Sequence, residues 1–142
     1  ERCIAGWKEI EAVCRQAGAH DFIMALPEGY FTIIGEGGST LSSGQKQKLS
    51  LARALLRDSS VLILDEITAN LDGAAEHQVL KVLAEQSHQK IILVISHKAS
   101  VTAVCDQVFV LDQGKVIDSG KHEQLLERCT VYQEIFRQRF DV

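Results

Sequence analysis

Two short, continuous apolar runs constrain the fold of this chain more than any other feature of its sequence. They cover residues 61–64 (VLIL) and 91–95 (IILVI). Such runs are typical of strands buried on both faces of a parallel sheet. A helical pattern over about 74–86 separates them, and a connection of this length suits the crossover between two parallel strands. The sequence therefore predicts a strand–helix–strand unit within an α/β fold.

Apolar periodicity and turn residues predict the other elements. Further helices are expected at 7–17, 21–26, 45–56, 122–127 and 132–140, and a β-hairpin at 108–117. Gly18 stands where the first helix should be capped, Pro27 cannot continue the second helix, and Gly114 suits the hairpin turn. Residues 35–44 read as a Gly/Ser-rich loop. With nearly half its residues apolar, the 142-residue chain is long enough for one domain with its own core.

Composition excludes several classes of protein. The net charge of −4 is small and negative, whereas nucleic-acid binders carry a basic excess, so we expect no nucleic-acid partner. The four cysteines are far apart and form no C-x-x-C pair, so neither a zinc site nor a disulfide framework is indicated. Reduced thiols are the simplest interpretation. No run approaches the roughly 20 apolar residues of a membrane span.

Both apolar runs end in polar side chains. Asp65 and Glu66 follow the first run, and His97 follows the second. Ligands of open α/β sheets bind at the carboxyl ends of the strands, so these groups are expected at one rim. A buried Asp is costly unless it binds a cation, as at the Mg²⁺ site of a phosphate-hydrolysing fold, and Glu66 could then polarise the attacking water. The alternative is that the acidic pair merely opens a loop.

A loop of small residues lies about twenty residues upstream of Asp65. Ser42, Ser43, Gly44 and Gln45 directly precede or open the predicted helix over 45–56. Free backbone amides and the positive end of the helix dipole make such a loop suitable for a phosphate. Ser42 and Gln45 also fit the S-x-x-Q capping box, which any helix can use. Both interpretations remain open at this point.

Four ordered segments resemble the ABC transporter nucleotide-binding domain. Residues 41–72 (LSSGQKQKLSLARALLRDSSVLILDEITANLD) resemble its signature motif, Walker B motif and D-loop. Residues 94–100 (VISHKAS) resemble the H-loop, and 105–126 the C-terminal hairpin and helix. Residues 20–38 (HDFIMALPEGYFTIIGEGG) are similar to the helical subdomain and X-loop of the exporter type. The resemblance implies a P-loop NTPase-like α/β fold, with a helical subdomain at 1–58 and part of the ATPase core at 59–142.

The resemblance also implies roles for individual residues and partners for the chain. Asp65 would hold Mg²⁺ through water, Glu66 would activate the lytic water, and His97 would contact the γ-phosphate. The resemblance implies ATP contacts from the signature motif, through Ser42, Ser43, Gly44 and Gln45. It implies that Asp72, in the D-loop, contacts the opposite domain. Glu36 would lie on the X-loop. The unit implied is a head-to-tail dimer of two nucleotide-binding domains that binds two ATP molecules and serves a transmembrane domain at the cytoplasmic face of a membrane.

Each implied role has a structural alternative. His97 or Asp72 would then cap the helix that follows it, and Glu36 would be a solvated loop charge. Ser43 stands where the family usually has Gly, which matters if that backbone needs a positive φ or close approach to phosphate.

The chain also departs from the family pattern as a whole. It contains no G-x-x-x-x-G-K-[ST] phosphate loop. We therefore expect a chain truncated at its N-terminus that binds ATP poorly and hydrolyses it negligibly by itself. The strand at 91–95 would lose its family neighbour and present an open apolar edge, which predicts self-association.

Two other functions compete with ATP-driven transport. The chain could be a degenerate half that supplies only a signature face, although Asp65, Glu66 and His97 are all present. It could also belong to a soluble ABC ATPase of DNA repair or translation. The exporter-like segments, the lack of a basic excess and the lack of coiled-coil heptads argue against that class.

Overall fold

The structure is a computed structural model that describes residues 5–35, 41–57 and 59–137, without the side chain of residue 137. Glu36 and the last residues of the predicted C-terminal helix lie outside this part. The chain divides into two compact units, Glu1–Val94 and Ile95–Val142. The elements in chain order are α1 Trp7–Gln16, α2 His20–Met24, a 3₁₀ turn Gly29–Phe31, α3 Ser43–Leu56, β1 Val61–Asp65, α4 Gly73–Gln86, β2 Ile91–Ile95, α5 Ala99–Thr102, β3 Val108–Asp112, β4 Lys115–Gly120, α6 His122–Arg128 and α7 Thr130–Arg137.

The helices of the first unit follow the sequence predictions closely. Helix α1 ends where Gly18 adopts a φ of +65°, so the predicted glycine stop is confirmed. Helix α3 begins at Ser43, two residues earlier than predicted, because Ser42 acts as its N-cap. Helix α1 packs against α3, and buried residues of both join those of β1 and α4 in one core. Leu51 of α3 is fully buried in this core.

Strands β1 and β2 form a two-stranded sheet joined by α4, which confirms the predicted strand–helix–strand unit. The backbone N–H of Ile91, the first residue of β2, donates to the carbonyl oxygen of Ser60, just before β1, at 2.9 Å. The two strands therefore start side by side and run parallel. Asp65, the last residue of β1, consequently lies at the carboxyl edge of this sheet.

The prediction that these strands are buried on both faces is wrong. Leu62 and Leu64 are buried in the core, but the alternate side chains of β1 are exposed. In β2 the same alternation leaves Ile91 63% exposed and Leu93 48% exposed. Successive side chains of a strand point to opposite faces, and α3 and α4 contribute core residues to one face only. Among the described residues of the first unit, no element packs on the other face of the sheet.

The second unit contains the predicted hairpin. Strands β3 and β4 are antiparallel, and Asp112 pairs with Lys115 beside the turn. Gln113 and Gly114 occupy that turn with φ of +47° and +76°, which matches the right-handed twist of a two-residue hairpin. The predicted turn is confirmed, and β4 extends to Gly120, three residues beyond the predicted end of the hairpin at residue 117.

Helices α5, α6 and α7 complete the second unit, and the short α5 was not predicted. Arg128 of α6 donates from Nη2 to Asp118 Oδ1 of β4 at 2.8 Å. This hydrogen bond lowers the pKa of the Asp118 carboxyl. His122 Nδ1 lies 2.8 Å from the Tyr132 hydroxyl and 3.1 Å from Thr102 Oγ1, so one imidazole connects all three helices. Among all the helices described, none has the length and apolar character needed to cross a membrane.

Candidate functional site

The start of α3 is held by a reciprocal pair of hydrogen bonds. Ser42 Oγ accepts the backbone N–H of Gln45 at 3.2 Å, and Gln45 Oε1 accepts the backbone N–H of Ser42 at 2.9 Å. The capping box, one of the two interpretations of Ser42 and Gln45 in the sequence, is therefore present. It fixes the small-residue loop at the N-terminal end of a 14-residue helix. A contact of these residues with phosphate stays a prediction.

Ser43 and Gly44 occupy the first turn of α3 and differ in what surrounds them. Ser43 is exposed and helical, and it is not among the residues with positive φ. Ser43 therefore brings no backbone strain, so a positive φ is no objection to the resemblance between residues 41–45 and the signature motif. Close packing occurs at Gly44, where a Cβ atom would lie 3.2 Å from the carbonyl oxygen of Asn70. Only a residue without a side chain fits this approach undisturbed.

Asp65 and Glu66 stand at the carboxyl edge of the sheet. The Asp65 side chain is exposed, so the expectation of a buried carboxylate that needs a cation to offset its burial is wrong. Glu66 is half-buried and adopts a φ of +49°, in the left-handed region that disfavours side chains. The acidic pair thus combines a solvent-accessible carboxylate with a neighbour whose backbone is strained.

A compact turn, which we call the 66–71 turn, follows directly. Its backbone is closed by hydrogen bonds from Ala69 N–H to the Glu66 carbonyl at 3.0 Å and from Leu71 N–H to the Thr68 carbonyl at 3.3 Å. Thr68 is almost completely buried at its centre. The close approach of Gly44 to Asn70 places this turn against the first turn of α3. The structure therefore brings together the signature segment and the acidic strand end, two regions far apart in the sequence.

Asp72 ends this segment and caps the next helix. Its Oδ1 accepts the backbone N–H of Ala75 at 2.8 Å, and α4 begins at Gly73. The structural alternative considered for Asp72 is therefore realised. The carboxylate is exposed, and its implied contact with a second domain stays a prediction.

His97 belongs to the second compact unit. It follows β2 by two residues, is half-buried, and precedes Lys98, the N-cap residue of α5. Ser96 Oγ accepts the Lys98 N–H at 3.2 Å, which shapes this connection. The expected convergence of His97 with Asp65 and Glu66 stays a prediction.

A polar cleft lies beside the capping box. It has a volume of about 440 Å³ and is lined by Arg15, His20, Asp21, Lys48 and Gln78 as well as Gln45. Arg15 and Lys48 bring positive charges and Asp21 brings a negative charge. Arg15 is ion-paired with Glu11, with Nη2 2.7 Å from Oε1. Such a lining suits a polar ligand better than an apolar one.

The residues described fit only one kind of magnesium site, in which waters and substrate phosphates supply most of the ligands. They contain no group of three or more His, Cys, Asp or Glu side chains placed to hold a metal. Mg²⁺, however, usually keeps several waters and is held by one or two carboxylates together with substrate phosphates. The exposed carboxylate of Asp65 is suited to that arrangement and not to a cage made only of protein ligands.

Sequence reasoning missed one residue of this region. Gln47 bridges α3 and the 66–71 turn: its Nε2 donates to the Glu66 carbonyl oxygen at 3.0 Å, and its Oε1 accepts the Asn70 N–H at 3.3 Å. Its position three residues after Gly44 puts both on one face of a helix. The sequence shows this spacing, but it does not show that this face of α3 contacts the 66–71 turn.

Comparison with known proteins gives matches over nearly the whole chain. The family model described as "ABC transporter" matches residues 8–69. The chain is 44% identical to the ATP-dependent lipid A-core flippase of Saccharophagus degradans over 92% of its own length and 22% of the flippase. It is 42% identical to the human mitochondrial potassium channel ATP-binding subunit, over 93% of its length and 18% of that protein. The chain thus spans only about a fifth of these relatives.

A solved structure shows the same fold. The chain superposes on a bacterial Atm1-family ABC exporter with ATP bound with a TM-score of 0.90 and 36% identity. The match covers 97% of this chain and 24% of the exporter chain. The fold class predicted from the sequence, a P-loop NTPase-like α/β core with parallel strands, is confirmed.

Proposed function

The chain belongs to the ABC transporter family, and on that premise we propose that it forms the C-terminal part of a nucleotide-binding domain that hydrolyses Mg²⁺-ATP to drive export. The observation that carries the proposal is the contact between the start of α3 and the 66–71 turn, where Gly44 meets Asn70. This contact holds the turn that begins at Glu66, the proposed water-activating residue, against the first turn of α3. ATP hydrolysis by positioning and charge stabilisation requires such fixed geometry.

The acidic edge of the sheet would supply the hydrolytic chemistry. Asp65, exposed at the end of β1, would hold Mg²⁺ through water, and Mg²⁺ when bound would offset the negative charge of the phosphates. Glu66 would orient the attacking water and accept its proton. His97 would contact the γ-phosphate. In phosphoryl transfer the protein mainly positions groups and stabilises charge, so a small number of well-held polar side chains is sufficient.

The start of α3 would contact a second nucleotide. Ser42, Ser43, Gly44 and Gln45 present the amide end of a long helix, which attracts anions. We propose that this surface contacts the γ-phosphate of ATP held mainly by a second nucleotide-binding domain, and that Asp72 contacts the same partner. The second domain could be identical or different in sequence. A transmembrane domain would complete the exporter at the cytoplasmic face of a membrane.

The chain alone is proposed to hydrolyse ATP negligibly. Its 142 residues contain no phosphate-loop pattern, and in that pattern backbone amides and a lysine hold the phosphates. Measurable Mg²⁺-ATP turnover by the isolated chain, abolished by Glu66→Gln, would contradict this part of the proposal.

The experiment that tests the function compares Glu66→Gln with Glu85→Gln in the complete transporter, reconstituted in vesicles. Glu85 is an exposed carboxylate on α4, so the two variants remove the same charge at different places. Loss of the general base should lower ATP turnover by about a hundredfold or more in Glu66→Gln, with Mg²⁺-ATP binding retained. Glu85→Gln should turn over ATP normally.

Two results would contradict the proposal. Undiminished hydrolysis by Glu66→Gln would exclude Glu66 as the base. ATP binding without hydrolysis by the unaltered transporter would favour the alternative, a non-hydrolytic half that supplies only a signature face.

A further inference from the structure

Gln47 uses both ends of its carboxamide to join two segments of the first unit. The Nε2 group donates to the carbonyl oxygen of Glu66 at 3.0 Å, and Oε1 accepts the backbone N–H of Asn70 at 3.3 Å. The partners determine the orientation of the amide, because only its nitrogen donates and only its oxygen accepts. Both bonds run from α3 to the backbone of the 66–71 turn, so they constrain where that backbone lies.

The backbone at Glu66 is the part of this turn that most needs support. Its φ of +49° is unfavourable for a residue with a side chain by about 1 to 2 kcal/mol. Among the non-glycine residues described, only Gln113 in the hairpin turn shares a positive φ. Such a conformation persists where surrounding contacts hold it. The Glu66 carbonyl accepts two hydrogen bonds, one from Gln47 and one from Ala69 N–H.

Gly44 strengthens the same connection from the previous turn of α3. A Cβ atom there would lie 3.2 Å from the Asn70 carbonyl oxygen and 3.6 Å from Leu71 Cδ2. Residues three apart lie on one face of a helix, so Gly44 and Gln47 contact the turn together. The close approach at Gly44 brings the helix near enough for the Gln47 side chain to reach both backbone groups.

We propose that Gln47 is a positioning residue for ATP hydrolysis, which holds the backbone of Glu66 and Asn70 against α3 so that the Glu66 carboxylate is aimed correctly. The inference rests on the proposed function of Glu66. Helix α3 would then hold the backbone of the 66–71 turn as well as present its N-terminal end to phosphate. Because the same helix carries the proposed phosphate-contacting residues, a displacement of that helix would also displace the acidic strand end.

Two substitutions separate the donor from the acceptor. Gln47→Glu keeps an oxygen that can accept from Asn70 N–H, but it places a carboxylate oxygen against the Glu66 carbonyl. Gln47→Met has a similar length and removes both hydrogen bonds. Ser50→Ala serves as the control, because Ser50 is exposed one turn further along the same helix.

The experiment measures ATP turnover by these variants in the complete transporter. Misplacing a catalytic group lowers the rate of the chemical step and not substrate affinity. We expect Gln47→Met to lower kcat at least about tenfold and to change the KM for ATP by less than about twofold. Gln47→Glu should also lose activity, and Ser50→Ala should keep it. Hydrogen exchange at the Asn70 amide should be faster in Gln47→Met.

A double variant tests whether Gln47 acts through Glu66. If it does, Gln47→Met combined with Glu66→Gln should hydrolyse ATP no more slowly than Glu66→Gln alone, since residues of one unit are not additive. A further tenfold loss in the double variant would overturn the inference. A decrease of kcat that matches the fraction of unfolded protein, measured by thermal unfolding, would also overturn it.

Failure of the inference and failure of the proposed function give different results. Normal kcat in Gln47→Met, with Glu66→Gln inactive, would overturn the positioning role alone. Normal turnover by Glu66→Gln would overturn the proposed function and the positioning role together.

Discussion

The backbone amide of Ser42 donates to the side-chain oxygen of Gln45 at 2.9 Å, while Ser42 Oγ accepts the Gln45 amide at 3.2 Å. This reciprocal pair satisfies two backbone donors at the start of α3. It also involves Ser42 and Gln45, two of the residues that the family resemblance assigns to a phosphate contact. Helix capping and phosphate contact can be separated by a substitution that preserves the cap but weakens phosphate binding.

Gln45→Glu is that substitution. A glutamate at the third helical position accepts the Ser42 amide as glutamine does, and its charge favours a helix N-terminus. We expect the free energy of unfolding to stay within about 0.5 kcal/mol of the unaltered chain. If the segment contacts phosphate, the added negative charge should weaken ATP binding by the complete transporter. Urea unfolding and nucleotide-binding measurements check the two parts.

The matched control is Gln45→Ala, which removes the cap without adding charge. It should destabilise the chain by about 0.5 to 1 kcal/mol. Unchanged ATP binding by Gln45→Glu would leave capping as the function of this residue.

Gly44 and Gly73 form a second matched pair, because both stand in the first turn of a helix and neither has a positive φ. A Cβ atom on Gly73 would meet nothing within 4 Å, whereas one on Gly44 would press on the Asn70 carbonyl at 3.2 Å. Gly73→Ala should therefore stabilise the chain by up to about 1 kcal/mol. Gly44→Ala should lose that gain and lower ATP turnover. Equal stabilisation by both changes, measured by urea unfolding, would contradict the close approach.

The sequence predicted the elements of this fold better than their environment. Local signals were sufficient for α1, whose apolar residues recur at helical spacing before Gly18, and for the hairpin turn at Gly114. The burial of β1 and β2 was predicted wrongly, because a continuous apolar run does not reveal whether both faces are covered. The residues that cover a face come from other parts of a chain. Helix α5 was missed because four residues carry too little periodicity.

The sequence indicates candidate residues whose proposed chemistry lies in a side chain, but not residues whose proposed role lies in a tertiary contact. Asp65 and Glu66 were found from their position after an apolar run. Gln47 was not, because its importance depends on two backbone atoms about twenty residues away. Glu66 also carries a positive φ that no residue pattern indicated. Tertiary contacts of this kind follow only from the folded chain.

Tyr30 gives the first unit an alkaline sensitivity. Burial, followed by hydrogen bonding with Cys14, raises the pKa of Tyr30 to about 12. The unfolded chain has an ordinary tyrosine pKa near 10, so it loses its proton first as the pH rises. The stabilising contribution of Tyr30 is complete below pH 10 and is lost as the pH rises from about 10 to about 12. Urea unfolding across this interval should show the decrease.

Variants of the two tyrosines isolate this effect. Tyr132→Phe leaves Tyr30 as the sole tyrosine of the chain, so tyrosinate absorbance reports its pKa directly. Tyr30→Phe should make the alkaline loss of stability shallower. It should also cost about 1 kcal/mol at neutral pH, because the hydroxyl no longer bonds to His20 Nδ1 at 2.9 Å. An ordinary titration near pH 10 in the folded chain would contradict the prediction.

The uncovered face of the β1–β2 sheet predicts that the 142-residue chain self-associates at high concentration. Ile63 is 66% exposed there, beside Ile91 and Leu93 of the neighbouring strand, and apolar surface of this kind is buried when copies meet. In the described residues β2 pairs only with β1, so its second edge also offers unpaired backbone groups. Ile63→Lys should shift sedimentation toward monomer, because a charge would have to be buried in the contact. Val104→Lys, at an equally exposed apolar position of the second unit, should not. A chain that sediments as a monomer throughout, or an equal response of the two variants, would mean that this face does not drive association.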